Sequence, residues 1–244
     1  MKAVILAAGK GTRMKSDLPK VLHEIEGKPL AEYVKEAAKA AGADKICFVI
    51  GYKKEEVKKR LDSPGVTFAV QDEQLGTGHA VRCAEEFIGI EGDVMILCGD
   101  TPLVRGETLK KAAEHHRENA NAVTVLSTRV DNPFGYGRII RDKDGAFLKS
   151  VEEKDATDEE RKTNEVNSGM YIFKVKALKD ALGRITNDNV QGEYYLPDTL
   201  QIILSDGGKV GAYVMADKEE LLGVNDVNQL NEAAKILARR KKDV

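Results

Sequence analysis

Short apolar, β-branched runs alternate with helical patterns through the first half of the chain, and few folds accommodate such an alternation. The apolar runs are AVILAA, KICFVIG, GVTFAV, DVMILCGD and NAVTVLSTR, and between them stand PLAEYVKEAAKAAG, KEEVKKRL, GHAVRCAEEFI and GETLKKAAEHHRENA. Strands separated by helices of this length are joined by right-handed crossovers, which make the strands parallel and place helices on both faces. The sequence therefore predicts an α/β fold with a doubly wound, mostly parallel sheet. A chain of 244 residues can form this core as a single domain.

Two of the predicted strands, residues 3–8 and 93–98, are apolar apart from Asp93 at the start of the second. Continuous apolar runs are typical of central strands that are buried on both faces. In open α/β sheets ligands bind outside the carboxyl ends of such strands. A ligand site is therefore expected at Gly9–Lys20, after the first strand, and at Gly99-Asp100, after the second.

The second half of the chain has a different pattern. GRIIRDKDGAFLKSVEE predicts a β-hairpin around the turn DKDG, and the charged segment KDATDEERK predicts an exposed, helical insert. Beyond them VNSGMYIFKV predicts a strand, EYYLPDTLQIILSDG a helix, KVGAYVMA a strand and DVNQLNEAAKILARRKK a final helix. The sequence therefore predicts a smaller substructure, which contains this β-hairpin and lies beside the main sheet.

Charge and cysteine content exclude several classes of protein. The 38 basic and 40 acidic residues leave a net charge of -2, so neither nucleic acid nor an anionic membrane is expected as a partner. Cys47, Cys83 and Cys98 have no CxxC spacing, and we interpret them as buried core thiols in a reducing compartment. The apolar part of MKAVILAAG is too short for a signal peptide or a membrane span. We expect a cytoplasmic protein.

The loop after the first strand has the composition of a phosphate site. It is not a Walker A loop, because no GK[ST] closes it, and GxGxxG fails because the sixth position is Met14. Gly9 and Gly11 allow backbone N–H groups to approach phosphates, Arg13 can pair with phosphate oxygens bidentately, and Lys20 supplies a point charge. A glycine turn with solvated cations is the alternative, and the position after a central strand favours the phosphate site.

Asp100 is carried by the second strand to the same edge of the sheet. A carboxylate beside phosphates is a common way to hold Mg²⁺, although an aspartate in a turn is equally ordinary. Together with the loop it indicates phosphoryl or nucleotidyl transfer, which needs alignment and charge neutralisation rather than a protein nucleophile. His79, His115 and His116 show no metal-ligand spacing, and we interpret His115 and His116 as exposed helix residues.

LAAGKGTRM followed by PKVLH resembles the signature of the sugar-1-phosphate nucleotidyltransferases, although polyol-phosphate cytidylyltransferases carry a similar pattern. Six further blocks narrow the resemblance: QDEQLGTGHA, GYGRI, VEEKDATDEER, EVNSGMY, NVQGEYYLPD and GVND. In order and spacing they are similar to the uridyltransferase half of the bacterial bifunctional N-acetylglucosamine-1-phosphate uridyltransferase/glucosamine-1-phosphate acetyltransferases. The resemblance covers nearly the whole chain.

This resemblance implies a Rossmann-like nucleotidyltransferase domain that converts UTP and N-acetylglucosamine 1-phosphate into UDP-N-acetylglucosamine and diphosphate, with Mg²⁺, for cell-envelope precursors. It assigns nucleotide contacts to Leu6, Ala7, Ala8, Gly9, Gln71, Gly76 and Thr77, phosphate contacts to Arg13 and Lys20, sugar contacts to Gly137, Glu152 and Asn167, and metal ligands to Asp100 and Asn225. The side-chain chemistry agrees, since an amide matches a uracil edge and Glu or Asn can bond hydroxyl and acetamido groups. Each residue alone also has an ordinary interpretation, such as a helix N-cap for Asn225.

The chain departs from the family pattern in two places. Cys98 stands where the family commonly has tyrosine, so only a backbone contact at Cys98 or Gly99 is carried over. The family's second half, a left-handed β-helix of hexapeptide repeats, is missing before Val244, so acetyl transfer, acetyl-CoA binding and the trimer are not carried over. We expect a nucleotidyltransferase domain over residues 1–226 and a linker-like helix over 227–244. A truncated longer protein and a natural terminus both remain open, as does the oligomeric state.

Two alternatives to this reaction stay open. The same chemistry could act on another sugar 1-phosphate or another nucleotide, against which QLGTGHA and EVNSG argue. A non-catalytic sugar-nucleotide sensor would be expected to lack Arg13, Lys20, Asp100 or Asn225, and all four are present.

Overall fold

The structure is a computed structural model that describes residues 1–242. Its strands are β1 Lys2–Ala7, β2 Glu24–Ile25, β3 Lys28–Pro29, β4 Lys45–Ile50, β5 Val66–Val70, β6 Asp93–Cys98, β7 Val123–Arg129, β8 Arg138–Arg141, β9 Phe147–Val151, β10 Glu165–Lys174 and β11 Val210–Val214. Its helices are α1 Leu30–Ala40, α2 Lys54–Leu61, α3 Thr77–Cys83, α4 Glu85–Ile88, α5 Gly106–Glu118, α6 Asp158–Arg161, α7 Val175–Leu182, α8 Asp198–Ser205 and α9 Val227–Lys242.

The main sheet has the strand order β11-β7-β10-β6-β1-β4-β5. Strand β1 pairs in parallel with β4 and β6, β4 with β5, and β11 with β7, whereas β10 runs antiparallel to both of its neighbours. The hairpin of β8 and β9 joins this sheet through β10. The predicted α/β fold with a mostly parallel sheet is confirmed.

Strand β1 is buried on both faces, as its continuous apolar sequence predicts. Ala3 and Ile5 belong to the core beneath α1, α2 and α5, whereas Val4 belongs to the core beneath α3, α7 and α8. A third, smaller cluster lies beneath the last helix and contains Met14, Ile25, Leu30, Leu103, Val224, Ala233 and Ile236. Helix α9 is therefore packed against the loop that follows β1.

Several local predictions need correction. His116 is buried rather than exposed, with its Nδ1 2.9 Å from Thr124 Oγ1. Helix α8 starts only at Asp198, because Pro197 disfavours a helical conformation in the residue before it. Cys47 is a buried core thiol as predicted, but Cys83 and Cys98 are only half-buried.

None of the helices in the described part of the chain is long and apolar enough to cross a membrane.

Candidate active site

The loop after β1 leads into short turns of 3₁₀ helix instead of an α-helix. The first turn spans Thr12–Met14 and the second spans Lys20–Leu22, directly after Pro19. Gly11 has a φ of 66°, and a Cβ added there would lie 2.6 Å from Lys20 Cβ. Glycine is therefore required at position 11 both by the backbone conformation and by the approach of Lys20. This fold of the loop brings Arg13 and Lys20 to the same side of the sheet edge.

Four predicted residues from three distant segments meet at this edge. Lys20 Nζ donates to the carboxylate of Asp100 and, over 3.0 Å, to Asn225 Oδ1. Arg13 Nη2 donates to the same Asn225 oxygen over 2.9 Å. Val224 N donates to Asp100 O over 2.8 Å, which fixes the segment before α9 against the end of β6. Two cations and two oxygen ligands thus form one cluster, which we call the charged cluster.

The residues assigned to the nucleotide line a cavity of about 310 Å³ beside the charged cluster. Its walls include Leu6, Ala7, Ala8, Gly9, Lys20, Gln71, Gly76, Thr77, Cys98 and Asp100. We call it the loop cavity. It also contains Gln74, which sequence reasoning missed and whose Nε2 donates to Ala8 O over 3.1 Å.

Gln71 is buried in the wall of the loop cavity, with 4% of its surface exposed. Its Nε2 donates to Gly76 O over 3.1 Å and lies 3.1 Å from His79 Nδ1. These contacts fix the amide and leave its carbonyl oxygen to accept from a ligand. Gly76 has a φ of 107°, and a Cβ there would lie 2.6 Å from Tyr194 O, so this turn requires glycine.

The residues assigned to the sugar line a second cavity, also of about 310 Å³, which we call the hairpin cavity because β8 and β9 border it. Its lining includes Gly137, Glu152, Asn167, Tyr171 and Tyr195, of which the two tyrosines were not predicted. Asn167 Nδ2 donates to Tyr171 Oη over 2.8 Å and to Ser150 Oγ over 3.2 Å. The amide is therefore held in one orientation at the cavity wall.

Glu152 is the most perturbed carboxylate of the hairpin cavity. Burial raises the pKa of Glu152, and the negative charges of Asp198 and Asp155 raise it further. In residues 1–242 no side chain forms a hydrogen bond or ion pair with its carboxylate. A half-buried carboxylate without a hydrogen-bond donor is destabilising unless a ligand supplies donors.

Cys98 lies between the two cavities and lines both of them. Its thiol is 3.4 Å from Gly169 O, and burial, with a smaller effect of Asp100, raises the pKa of Cys98 to about 12. The thiol is therefore neutral. Next to it, Gly99 N donates to Leu6 O over 2.9 Å, which leaves no room for a side chain at position 99.

The charged cluster has the donor set of a site for a hard cation. Oxygens of Asp100 and Asn225 converge on one positive atom, the Nζ of Lys20. Within residues 1–242 no group of three His, Cys, Asp or Glu side chains is arranged to hold a metal. The carboxylate of Asp100 and the amide oxygen of Asn225 are hard donors, which fit a divalent cation of the kind held by one or two protein oxygens together with substrate phosphates.

Comparison with known proteins gives consistent matches. The sequence profile of the nucleotidyl transferase family matches residues 2–236. The chain is 52% identical over 238 residues to the bifunctional protein GlmU of Caldanaerobacter subterraneus subsp. tengcongensis, an alignment that covers 98% of this chain and 52% of that protein. The GlmU proteins of Clostridioides difficile and Staphylococcus epidermidis are each 50% identical over 239 residues, with 98% of this chain and 52% and 53% of theirs covered.

The chain spans about half the length of these curated relatives. The family profile itself extends from β1 into α9 and so takes in every segment that meets at the charged cluster. The chain belongs to the nucleotidyl transferase family.

Proposed function

We propose that the chain transfers uridylyl from UTP to N-acetylglucosamine 1-phosphate, which gives UDP-N-acetylglucosamine and diphosphate for cell-envelope precursors. The observation that carries this proposal is the meeting of Arg13, Lys20, Asp100 and Asn225 at the edge of the loop cavity. The hairpin cavity adjoins the loop cavity through their shared wall at Leu6, Thr77 and Cys98. Two substrates that meet at phosphate groups match this arrangement.

In this proposal the loop cavity holds the uridine. The fixed carbonyl oxygen of Gln71 accepts from the N–H at position 3 of uracil. Cytosine presents an acceptor at that position, and two acceptors facing each other would both remain unpaired in a buried site. The backbone of residues 6–9 and Gly76 lies against the nucleoside.

The hairpin cavity holds the sugar. The Glu152 carboxylate accepts hydrogen bonds from sugar hydroxyl groups, and the amide of Asn167 contacts the acetamido group. The Glu152 carboxylate has no hydrogen-bond or ion-pair partner within residues 1–242. The sugar hydroxyl groups therefore supply the donors that this partly desolvated carboxylate lacks.

The reaction is an in-line displacement at the α-phosphorus of UTP. An oxygen of the sugar phosphate forms a bond to that phosphorus while the bond to the bridging oxygen of the leaving diphosphate breaks. Arg13 and the loop amides stabilise the diphosphate, and Lys20 holds the sugar phosphate. Asp100 and Asn225 would hold Mg²⁺, which would neutralise charge on the phosphates.

A panel of substrates tests the proposal. Purified protein with Mg²⁺ is assayed for diphosphate release with UTP, CTP, dTTP and ATP against the 1-phosphates of N-acetylglucosamine, glucosamine and glucose. We expect the highest kcat/KM for UTP with N-acetylglucosamine 1-phosphate, and a large loss in Asp100→Asn, which removes a charge used in the transition state. If another nucleotide and sugar 1-phosphate react with a higher kcat/KM, that pair is the substrate of the protein. Binding of UDP-N-acetylglucosamine without turnover of any pair would indicate a sensor.

A further inference from the structure

The first turn of α9 reaches back to the charged cluster through Gln229. Gln229 Oε1 accepts from the backbone N–H of Asn225 over 2.7 Å. The backbone N–H of Gln229 in turn donates to Asp226 Oδ1 over 2.9 Å, which caps the helix. In an ordinary capping box the third helical residue accepts from the N–H of the cap residue itself. Here it accepts from the residue before the cap, and that residue is Asn225.

Asn225 is thereby held on several sides. Its Nδ2 donates to Gly223 O over 3.2 Å, and its neighbour Val224 donates to Asp100 O over 2.8 Å. The bond to Gln229 fixes the peptide group between Val224 and Asn225. The side-chain oxygen that these bonds orient is the one that accepts from both Arg13 and Lys20.

The same helix also supports Arg13. Ala233 and Ile236 of α9 pack in the cluster that buries Met14, the residue after Arg13. Met14 is 2% exposed and is the buried residue of the first 3₁₀ turn. Both partners of the hydrogen bond between Arg13 and Asn225 are therefore placed by contacts with α9.

We propose that Gln229 is a positioning residue for nucleotidyl transfer. It acts by fixing Asn225, and with it the side-chain oxygen of Asn225 that accepts from Arg13 and Lys20. The proposal rests on the proposed function of the site. A role in capping α9 alone would affect stability but leave the metal and phosphate dependence of the reaction unchanged. Partners that orient a metal ligand typically change metal affinity or activity by about 10- to 100-fold when they are removed.

Three variants separate the two roles. Gln229→Met keeps the length of the side chain and removes the acceptor, whereas Gln229→Glu keeps an acceptor oxygen. Asn231→Gly weakens α9 at an exposed position two residues further on and leaves the bond from Asn225 in place. For each variant we would measure Tm, kcat, the Mg²⁺ concentration at half-maximal rate, and hydrogen–deuterium exchange of the peptide that contains Asn225.

We expect Gln229→Met to raise the half-maximal Mg²⁺ concentration about tenfold or more and to speed exchange at Asn225, and Gln229→Glu to restore most of both. Asn231→Gly should lower Tm without moving the Mg²⁺ dependence. Unchanged Mg²⁺ dependence in Gln229→Met, or an equal shift in Asn231→Gly, would overturn the proposal. Wild-type protein without any transferase activity would contradict the proposed function instead, and faster exchange in Gln229→Met would still report the bond to Asn225.

Discussion

Asn225 Oδ1 is the atom on which the two predicted phosphate cations converge. Arg13 reaches it from the first 3₁₀ turn and Lys20 from the second. An amide oxygen is neutral, so it orients both cations without neutralising either of them. In the proposed reaction the substrate phosphates would meet two cations that are already positioned, and this arrangement leads to separate expectations for each.

Arg13→Ala should lower kcat about 10²- to 10³-fold, because the guanidinium stabilises charge that develops on the departing diphosphate. Steady-state kinetics with saturating UTP measure this effect. Lys15→Asn is the matched control, since Lys15 is an exposed cation of the same loop with a φ of 50° that asparagine tolerates. A near-native kcat in Arg13→Ala would remove this residue from the mechanism.

Lys20 Nζ occupies the position where the oxygens of Asp100 and Asn225 converge. Its charge competes with a metal ion for the same oxygens, so Lys20→Ala should bind Mn²⁺ about tenfold more tightly without substrates while its KM for the sugar phosphate rises. Titration followed by electron paramagnetic resonance measures the Mn²⁺ affinity. Equal or weaker Mn²⁺ binding in Lys20→Ala would show that the lysine does not compete.

Glu152 links sugar binding to pH. Its pKa is raised above the ordinary value of 4.5 by burial and then by Asp198 and Asp155, so folding favours its protonated form relative to the unfolded chain. Stability from this group is present below its unfolded pKa and is lost as the pH rises through the raised pKa. Glu152→Gln should therefore raise Tm at pH 7, with a difference that vanishes below about pH 4.

Binding of the sugar phosphate should depend on the ionisation of the same carboxylate, but in the opposite direction to stability. The KM of the wild type for N-acetylglucosamine 1-phosphate should increase as the pH falls through the raised pKa, and Glu152→Gln should have a KM about tenfold higher that no longer follows this group. Thermal melts and KM measured across pH test both statements. A Tm that falls in Glu152→Gln at neutral pH would mean that the ionised carboxylate is stabilised by the protein.

At the scale of elements, α9 and the loop after β1 form one packed unit. Met14 is buried against Ala233 and Ile236, and Arg240 Nη1 donates to Leu103 O over 2.7 Å further along the helix. A helix that served only as a linker would not bury Met14 in this way. Domain boundaries at 1–226 and 227–244 remain a prediction, and these contacts favour counting α9 with the domain.

Met14→Ala should lower the free energy of unfolding by about 2–5 kcal/mol and should also reduce kcat, because the cavity loosens the turn that carries Arg13. Met215→Ala is a matched control, since Met215 is also 2% exposed but lies in the core beneath α1 and α5. Urea unfolding and kinetics of both variants check the prediction. Equal kcat values in two equally destabilised variants would contradict a link between this packing and Arg13.

At the scale of the whole molecule, the sequence predicted which segments form strands but not the order in which these strands pair in the sheet. Strand β10 was predicted as a strand, but its place between β6 and β7, antiparallel to both, was not. A strand buried on both faces has the same apolar pattern in either direction, so periodicity carries no information on pairing. His116 was placed on the solvent face for a similar reason, since Thr124 of β7, its hydrogen-bond partner, is brought near only by the packing of α5 on the sheet.

The site was predictable where topology or a motif marks it. Asp100 and the loop after β1 were expected at one sheet edge because both follow central strands, and the structure places them there. The resemblance placed Asn225 in the same site, and its contacts with Arg13 and Lys20 follow from the fold. No sequence pattern pointed to Tyr171 or Gln229. Each contributes through one side-chain hydrogen bond, Tyr171 with Asn167 and Gln229 with Asn225, and these bonds become evident only in the folded structure.

The most direct test of nucleotidyl transfer at the charged cluster follows the α-phosphorus of UTP. Protein, Mg²⁺, N-acetylglucosamine 1-phosphate and UTP radiolabelled at the α-phosphorus are incubated, and the products are separated by chromatography. Transfer at the α-phosphorus predicts that the label appears in UDP-N-acetylglucosamine and that the diphosphate is unlabelled, with formation of both products lost in Asp100→Asn. Label in a product without the sugar, or equal labelling of the nucleotide sugar by Asp100→Asn, would contradict in-line transfer at the charged cluster.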